Sequence, residues 1–503
     1  MMVLLTNTTI SFWLSPYIVE HIGVEANGFV TLANNFVTYA QLIVTALNSM
    51  ASRFITIAYV KKDYKKANMY YNSVFWGNLI IVAVLLIPAI VCIAKLENII
   101  NIPNNILLDV KILFSTVFLN FFISTGLPNW DCGTFATNRL ERSYIPQMLT
   151  KIIRCIIIFV TLIVLTPKVY YVGIATIIAT ILLLMCNRYN TKKLTPELQI
   201  NLPPKKIIYQ KSAIKELVGT GIWNAVSNVG NMLLSGLDLI ICNIFLGATQ
   251  MGIISLTKVV PNAIGQASNS IQGAFTPELT INYAQDNKEA LLKNLNRAMK
   301  LTSIILIIPV TVFIVLGKEF FSLWVNSQNA SLLQTLSILA IFGYLFTSGT
   351  QILYNVFPTV NKVKPNAIAM IISGIFSVII TIIVVKFTDY GIYAVAGVSS
   401  ICNFIRNMIF TLPASAKYLG FKWNIFYKQA FISFISAILL ITIGFFVKNI
   451  LGMYFTIDSW ISFIFSAGII AIVDFVINVS IILNKDERAY LIGKIKSKLK
   501  KNR

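Results

Sequence analysis

The chain has 503 residues, of which 56% are hydrophobic and only 12% are charged. A water-soluble protein of this length needs far more charged residues to cover its surface, so the composition excludes a soluble globular protein. Apolar runs of about 20 residues recur from end to end, and each could cross hydrocarbon roughly 30 Å thick. Solid apolar runs indicate helices, because the strands of membrane β-barrels alternate in polarity.

These runs predict an all-α integral membrane protein. We expect about fourteen transmembrane helices, arranged as two repeated six-helix bundles plus two C-terminal helices around a central cavity. Merging doubtful neighbours would give 12 or 13 spans. The predicted spans are 2–19, 29–51, 70–94, 107–128, 146–166, 170–186, 214–236, 251–275, 298–316, 333–356, 366–386, 391–413, 425–447 and 459–483. The predicted domains are an N-terminal bundle (1–186), a cytoplasmic linker (187–213), a second bundle (214–413), two further helices (414–483) and a basic cytoplasmic tail (484–503).

A net charge of +22 could indicate nucleic-acid binding, but its distribution indicates membrane topology. With the N-terminus inside, the loops, the tail and the adjoining span ends on one side of the membrane hold 31 of the 41 Lys and Arg residues. Basic residues are concentrated in cytoplasmic loops, so both termini are predicted to be cytoplasmic. We expect the tail to contact anionic membrane lipids, and we expect no nucleic-acid partner.

The two halves of the chain resemble each other. A shift of 224 positions places the first three spans on spans 7 to 9 without a gap, so that Gly23 and Gly28 coincide with Gly247 and Gly252. An even number of spans separates the copies, which gives both the same orientation in the membrane. The segment before span 7 has no counterpart before span 1. We therefore expect the chain to begin about ten residues late, with the true start upstream.

Polar side chains recur every three or four residues in three predicted spans, a spacing that places them on one helix face. Span 2 carries Asn34, Thr38, Gln41, Thr45 and Asn48, span 7 carries Asn224, Asn228 and Asn231, and span 8 carries Lys258, Asn262, Asn269 and Gln272. Because lipid cannot solvate these groups, they either join packed helices or line a hydrated cavity. Their recurrence in equivalent helices of both halves favours the cavity.

Three of the charged residues inside predicted spans are candidate functional residues, because charge is costly there. Lys258 either extends to the external headgroups or lines the cavity beside Asn262, and Arg406 in span 12 has the same two interpretations. Asp474 in span 14 is the most isolated carboxylate, and a charge at the bilayer centre costs about 2.5–3.5 kcal/mol on insertion scales. Asp474 therefore needs a partner or binds a proton, which makes it the candidate residue for ion coupling.

The sequence contains no recognisable catalytic motif, metal-ligand spacing or nucleotide-binding loop. The single histidine, His21, lies in a short external loop, and the six cysteines lie in spans or at their ends without CxxC spacing. We therefore predict a transporter with no catalytic residues, no metal and no cofactor.

Several stretches resemble the polysaccharide repeat-unit flippases (Wzx-type O-antigen and capsule transporters). These belong to the multidrug/oligosaccharidyl-lipid/polysaccharide exporter superfamily, which also contains lipid II flippases and multidrug extruders. The stretches are "LSPYIVEHIGVEANGFVTLANNFVTY", "ALNSMASRF", a lysine-rich loop and "GTFATNRLERSYIPQ" after span 4. The likeness covers essentially the whole chain, although the short start departs from the family pattern.

The resemblance implies a flippase of the bacterial cytoplasmic membrane. Its substrate would be an undecaprenyl-diphosphate-linked oligosaccharide for O-antigen, capsule or exopolysaccharide, moved outward by alternating access. Polysaccharide polymerase and chain-length proteins are the implied partners. Arg53, Lys258 and Arg406 would attract the diphosphate, while the neutral stripes would bind sugars. Arg53 could also be a simple membrane anchor, although the lysines at 61–66 already supply that signal.

Two other functions remain open. A drug or cation antiporter of the same fold would be expected to carry acidic cavity residues in its N-terminal half, whereas the stripe of span 2 is uncharged. A membrane-embedded polysaccharide polymerase or ligase would be expected to have a large external loop with catalytic Arg or His, and the external loops here are small.

Overall fold

The computed structural model describes residues 2–128, 130–200, 211–484 and 487–488, and within these ranges the regular structure is entirely helical. The first helices are α1 Met2–His21, α2 Val24–Asn48, α3 Ala51–Val60, α4 Tyr64–Ala94, α5 Leu96–Ile99, α6 Leu107–Gly126, α7 Asp131–Ala136, α8 Glu141–Val164 and α9 Tyr170–Leu194. A single 3₁₀ turn, Asn104–Ile106, precedes α6.

The remaining helices follow the linker. They are α10 Lys211–Asn231, α11 Asp238–Leu246, α12 Ala248–Thr257, α13 Val259–Ala284, α14 Lys288–Trp324, α15 Ala330–Thr347, α16 Val356–Thr359, α17 Val363–Phe387, α18 Gly391–Arg406, α19 Leu412–Tyr418, α20 Tyr427–Gly452 and α21 Trp460–Ile482. π-Helical turns at Met232–Gly236 and Asn407–Thr411 join α10 to α11 and α18 to α19, and a 3₁₀ segment, Gly349–Asn355, precedes α16.

The all-helical membrane fold predicted from the sequence is confirmed. Each predicted span overlaps a helical stretch, and twelve stretches among the described residues are long and apolar enough to cross a membrane. The expected count of fourteen stays a prediction. The α12–α13 stretch is not among the twelve, because the polar residues of α13 lower its hydropathy.

Helix α3 was not predicted as a helix, since the second span was expected to end at residue 51. The chain instead turns at Ser49 and Met50 and continues helically to Val60. The hairpin to α4 then closes at Lys62, whose backbone is left-handed with φ +61°, and at Asp63, whose carboxylate accepts from the Lys66 N–H at 3.0 Å. This N-cap starts α4 directly after the lysine-rich turn.

The internal repeat recurs in backbone conformation. Asp286 at the α13–α14 turn is left-handed like Lys62, 224 positions earlier, with φ +51°. The next residue, Asn287, caps α14 by accepting from the Ala290 N–H at 3.0 Å, as the equivalent Asp63 caps α4. The glycines at the α1–α2 and α11–α12 turns, Gly23 and Gly247, are also an equivalent pair with positive φ. These matched turns support the repeat.

Contacts between Cα atoms divide the chain into two compact units. The first comprises Met1–Leu256 with Met370–Val378 and Val385–Thr388, and the second comprises Thr257–Ala369, Ile379–Val384 and Asp389–Arg503. Helices α10 and α11 therefore belong with the N-terminal helices. The sequence placed a bundle boundary at the linker 187–213, and that division stays a prediction.

Each unit has a core beneath an equivalent helical hairpin. In the first unit Ile55 and Ala67 are buried between α3 and α4, together with Tyr70, Tyr71 and Leu198. In the second unit, the equivalents of Ile55 and Ala67 are Leu279 and Leu291, which are buried between α13 and α14. Close packing of such side chains stabilises each hairpin.

The start of the linker packs on the α3–α4 hairpin. Helix α9 extends to Leu194, and the backbone that follows bonds to α4: Asn68 Nδ2 donates to the Glu197 carbonyl at 2.6 Å, and Asn72 Nδ2 donates to the Gln199 carbonyl at 2.8 Å. The rest of the predicted linker at 201–210, and the predicted basic tail apart from residues 484 and 487–488, lie outside the described residues.

Candidate functional site

The polar face of α2 is exposed in its middle turns. Asn34, Thr38 and Gln41 are all exposed. Asn34 Nδ2 donates to the Val30 carbonyl at 2.8 Å, and the Thr38 hydroxyl donates to the Asn34 carbonyl at 3.0 Å. In the described part of the chain the Asn34 amide oxygen and the Gln41 amide have no protein partner. They are therefore available to a polar ligand.

A comparison with α4 shows why this face is unusual. From residue 79 onward the exposed positions of α4 are apolar: Val84 is 64% exposed and Ile87 is 68% exposed, as expected for side chains that face lipid. An amide on a lipid-facing surface would lose its hydrogen bonds to water at a cost of several kcal/mol. The exposed middle of α2 is therefore best explained as a hydrated surface.

The lower part of the α2 stripe joins helices. Thr45 is half-buried and donates to the Gln41 carbonyl at 2.8 Å. Asn48 exchanges two hydrogen bonds of 3.1 Å with Asn78 of α4, which is buried. Asn48 thus joins two packed helices and does not line a cavity, because its amide is already hydrogen-bonded to another helix.

Helix α10 packs alongside α2 within the first unit. A β-carbon at Gly221 would collide with the Ala46 carbonyl, so this glycine permits the close approach. Asn228 and Asn231 are exposed and Asn224 is half-buried. The predicted polar residues of spans 2 and 7 are therefore placed on neighbouring helices.

Two residues that the sequence analysis did not single out connect these helices. The Tyr39 hydroxyl donates to the Gly236 carbonyl at 2.6 Å, and Asn35 Nδ2 approaches the same carbonyl at 3.5 Å. Gly236 closes the π-helical turn, and such turns disturb the regular helical bonding that would otherwise occupy carbonyls. A π-helical turn has no clear sequence signal, so these contacts were not predictable.

Arg53 lies on α3, not in a loop after the second span. Its side chain is exposed and has no ion-pair or hydrogen-bond partner among the described residues. Some basic residues elsewhere are paired: Lys111 contacts Glu97 at 2.6 Å, and Lys168 contacts Asp109 at 3.0 Å. The Lys111 hydrogen bond lowers the pKa of the Glu97 carboxyl. Arg53 therefore retains its full capacity to bind an anion.

The polar face of α13 belongs to the second unit and is only partly exposed. Asn262 and Asn269 are exposed, and the exposed Gln266 extends the same surface. Gln272 is buried: its Nε2 donates to the Ser268 hydroxyl at 3.0 Å, and its backbone carbonyl accepts from Asn355 Nδ2 at 2.9 Å. The Gln272 side chain therefore makes its hydrogen bond within α13.

Lys258 lies at the junction of α12 and α13, outside the regular part of either helix. It is half-buried, and it already takes part in an interaction within the protein. The sequence predicted this lysine inside one continuous span, but the helix breaks there.

Arg406 lies at the end of α18 and is only 7% exposed. One guanidinium nitrogen donates to the Tyr354 hydroxyl at 2.9 Å and to Asn403 Oδ1 at 2.7 Å, and the guanidinium lies 5.5 Å from the centre of the Tyr354 ring. Nε and the other terminal nitrogen have no hydrogen-bond partner in the described ranges. Arg406 is thus a buried cation held by an aromatic ring and neutral oxygens. Its burial was not predictable from one sequence.

Asp474 is fully buried on α21, where its Oδ2 lies 2.6 Å from the Thr311 hydroxyl of α14. Its other oxygen has no partner among the described residues. Within the same part of the chain, no three His, Cys, Asp or Glu side chains are grouped as metal ligands.

Long apolar helices that carry exposed polar faces within their length define a multi-pass membrane protein. Residues 1–280 match a family described as "Polysaccharide biosynthesis protein". The chain belongs to this polysaccharide biosynthesis family, in agreement with the resemblance seen in the sequence.

Similar proteins extend over nearly all of the chain. The "Uncharacterized membrane protein EpsK" of Bacillus subtilis (strain 168) is 25% identical over 496 residues, which covers 98% of this chain and 96% of that protein. The structure of the lipid II flippase MurJ in an inward closed conformation matches with a TM-score of 0.64 and 15% identity, covering 95% of this chain and 97% of MurJ.

A second solved structure is similar over somewhat less of the chain. An inward-facing multidrug resistance MATE family transporter of the MOP superfamily matches with a TM-score of 0.65 and 14% identity, covering 84% of this chain and 95% of that one. At these identities the solved structures establish the fold that the chain shares with them, and nothing further.

Proposed function

We propose that this protein is a flippase that moves undecaprenyl-diphosphate-linked oligosaccharide repeat units across the bacterial cytoplasmic membrane by alternating access. Membership of the polysaccharide biosynthesis family and the fold shared with a lipid II flippase support this class of substrate. The observation that carries the proposal is the exposed, uncharged polar face in the middle of α2. A hydrated sugar needs such a surface within the membrane, and neighbouring lipid does not.

Each part of the substrate has a chemical counterpart in the protein. Neutral sugars would exchange hydrogen bonds with Asn34, Thr38 and Gln41, and with the exposed asparagines of α10 in the same unit. The exposed asparagines of α13 offer the same chemistry in the second unit. Arg53, which is exposed and unpaired in the described part of the chain, would bind the diphosphate. The polyprenyl chain would remain in lipid against apolar surfaces such as that of α4.

The distribution of basic residues supports an orientation with both termini in the cytoplasm, which places the α3–α4 loop and Arg53 at the cytoplasmic side. Substrate assembled on the inner leaflet would then meet Arg53 first. The basic tail would contact anionic lipids. Polymerase and chain-length proteins would act on the exported units, which could serve O-antigen, capsule or exopolysaccharide synthesis.

The fold shared with a MATE transporter suggests a second candidate function, which is drug or cation antiport. A transporter that binds organic cations would be expected to carry acidic groups in contact with its substrate. The exposed stripe of α2 is uncharged and Arg53 follows it. Transport of a cationic dye that depends on this protein would support antiport.

Gene deletion in the native bacterium tests the proposed function. Lipid-linked oligosaccharide should accumulate in the inner leaflet, and export should return when the gene is supplied on a plasmid. Accumulation of unpolymerised units already on the outer face would instead assign the protein to polymerisation or ligation.

A further inference from the structure

Helix α21 buries a polar stripe of its own. Its buried residues recur every four positions, at Ser466, Ile470, Asp474, Asn478 and Ile482, and they face α14 and α20. The Ser436 hydroxyl of α20 donates to Asn478 Oδ1 at 2.8 Å. These contacts lie within the second unit, and none of these residues belongs to the exposed polar faces described above.

The hydroxyl of Thr311 indicates the protonation state of Asp474. Thr311 Oγ1 lies 2.6 Å from Asp474 Oδ2 and 3.0 Å from the Ile308 carbonyl, and both neighbours accept hydrogen bonds if Asp474 is ionised. A threonine hydroxyl has a single proton, so it can serve only one of them. If Asp474 is protonated, its O–H donates to Thr311 and the Thr311 O–H donates to Ile308. Only the protonated acid satisfies both contacts.

Among the described residues of the helices that pack against α21, no nearby charge compensates an ionised Asp474. The titratable groups of α14 are Lys288, Glu289, Lys293, Arg297, Lys300, Lys318 and Glu319, those of α20 are Tyr427, Lys428 and Lys448, and α21 has Asp474 alone. None on α14 lies within six residues of Thr311, and none on α20 lies within seven of Ser436, a separation of roughly 10 Å along the helix. Two of the lysines are already paired, Lys300 with Glu487 at 2.8 Å and Lys448 with Glu319 at 2.6 Å.

We propose that Asp474 is a proton-binding site, which holds a proton in this conformation and releases it during the transport cycle. On release the carboxyl O–H bond breaks, Thr311 turns its proton from the Ile308 carbonyl to the carboxylate, and the proton leaves to water. Binding reverses these steps. The use of this proton in transport rests on the proposed flippase function. The presence of a proton on Asp474 does not depend on that function.

Infrared difference spectroscopy on the purified full-length protein in lipid tests the site directly. The wild-type protein should show a carboxylic-acid C=O band that disappears at high pH and is absent from Asp474→Asn. The exposed Asp458, which accepts from Thr456 at 2.8 Å, provides the matched control, and Asp458→Asn should keep the band. If the wild-type protein has no band assignable to Asp474, or if the band does not respond to pH, the proposal fails.

Flipping assays in proteoliposomes test the use of the proton. Asn at position 474 can still donate to Thr311, so Asp474→Asn should fold, while the response of flipping to an imposed proton gradient should be lost. A variant that keeps the wild-type response, or a wild-type protein driven by a sodium gradient alone, would overturn the coupling. If no lipid-linked oligosaccharide is flipped under any gradient, the proposed function fails, while the spectra still decide the proton site.

Discussion

Arg53 differs from the lysines that follow it because it lies within α3, before the α3–α4 junction. Lys61, Lys62, Lys65 and Lys66 are exposed at the α3–α4 turn, where they suffice as a topology signal, while Arg53 lies two turns earlier on α3. Arg53→Ala should reduce export of lipid-linked oligosaccharide on the order of tenfold or more, because a charge-assisted hydrogen bond is worth about 1.5–3 kcal/mol. Export is measured by labelling surface oligosaccharide at equal protein levels.

Two further variants give that prediction its controls. Arg53→Lys keeps the charge and should export normally. Arg139 is exposed and paired with Glu141 at 3.5 Å, so Arg139→Ala should have little effect. Normal export by Arg53→Ala would contradict diphosphate binding by Arg53 and would leave it as a membrane anchor.

The α2 stripe contains residues of two kinds, which mutation should separate. Asn48→Leu leaves the buried Asn78 amide unpaired and should lower the free energy of unfolding by about 1–2 kcal/mol. Gln41→Leu removes an exposed amide and should leave the free energy of unfolding nearly unchanged while it lowers export. Thermal unfolding in detergent, combined with the export assay, distinguishes the two effects. A destabilised Gln41→Leu protein with normal specific activity would contradict the hydrated face.

At the scale of elements, residues at equivalent positions of the two repeat copies contact each other. Gly28 of α2 lies against Gly252 of α12, which is 224 positions later, and the Thr249 hydroxyl donates to its own equivalent, Glu25, at 2.7 Å. The pairing brings α2 and α12 close together, because a β-carbon at Gly252 would collide with the Val24 carbonyl. Both glycines were noted in the sequence as equivalents, but one sequence could not show that they touch.

Gly252→Val should separate α2 from α12. In a protein with cysteines at positions 25 and 249, a short thiol cross-linker should join the two helices efficiently, and Gly252→Val should abolish most of this product. Gly468 of α21 has open space around its missing β-carbon, so Gly468→Val is the matched control and should preserve cross-linking. Undiminished cross-linking in Gly252→Val would show that the contact does not depend on the glycine.

The predicted helices agreed with the structure wherever a long apolar run is enough to specify a helix. They differed where a local turn sets the end of a helix, and exposure was mispredicted where packing between distant helices buries a residue. Helix α3 was missed because Arg53 and the lysines resemble a loop, whereas the chain stays helical until Lys62 and Asp63 close the turn. The burial of Arg406 and Gln272 depends on helices distant in sequence. Periodicity identified the polar faces correctly, but it could not separate exposed Gln41 from paired Asn48.

At the scale of the whole molecule, the central claim is that a polar, lipid-linked oligosaccharide crosses the membrane through this protein. The most direct measurement follows a fluorescent undecaprenyl-diphosphate oligosaccharide in proteoliposomes, with an impermeant quencher reporting the leaflet that holds it. We predict that the wild-type protein transfers the label between leaflets, and that Arg53→Ala is at least tenfold slower. Transfer no faster than in protein-free vesicles, under all imposed ion gradients, would contradict the account.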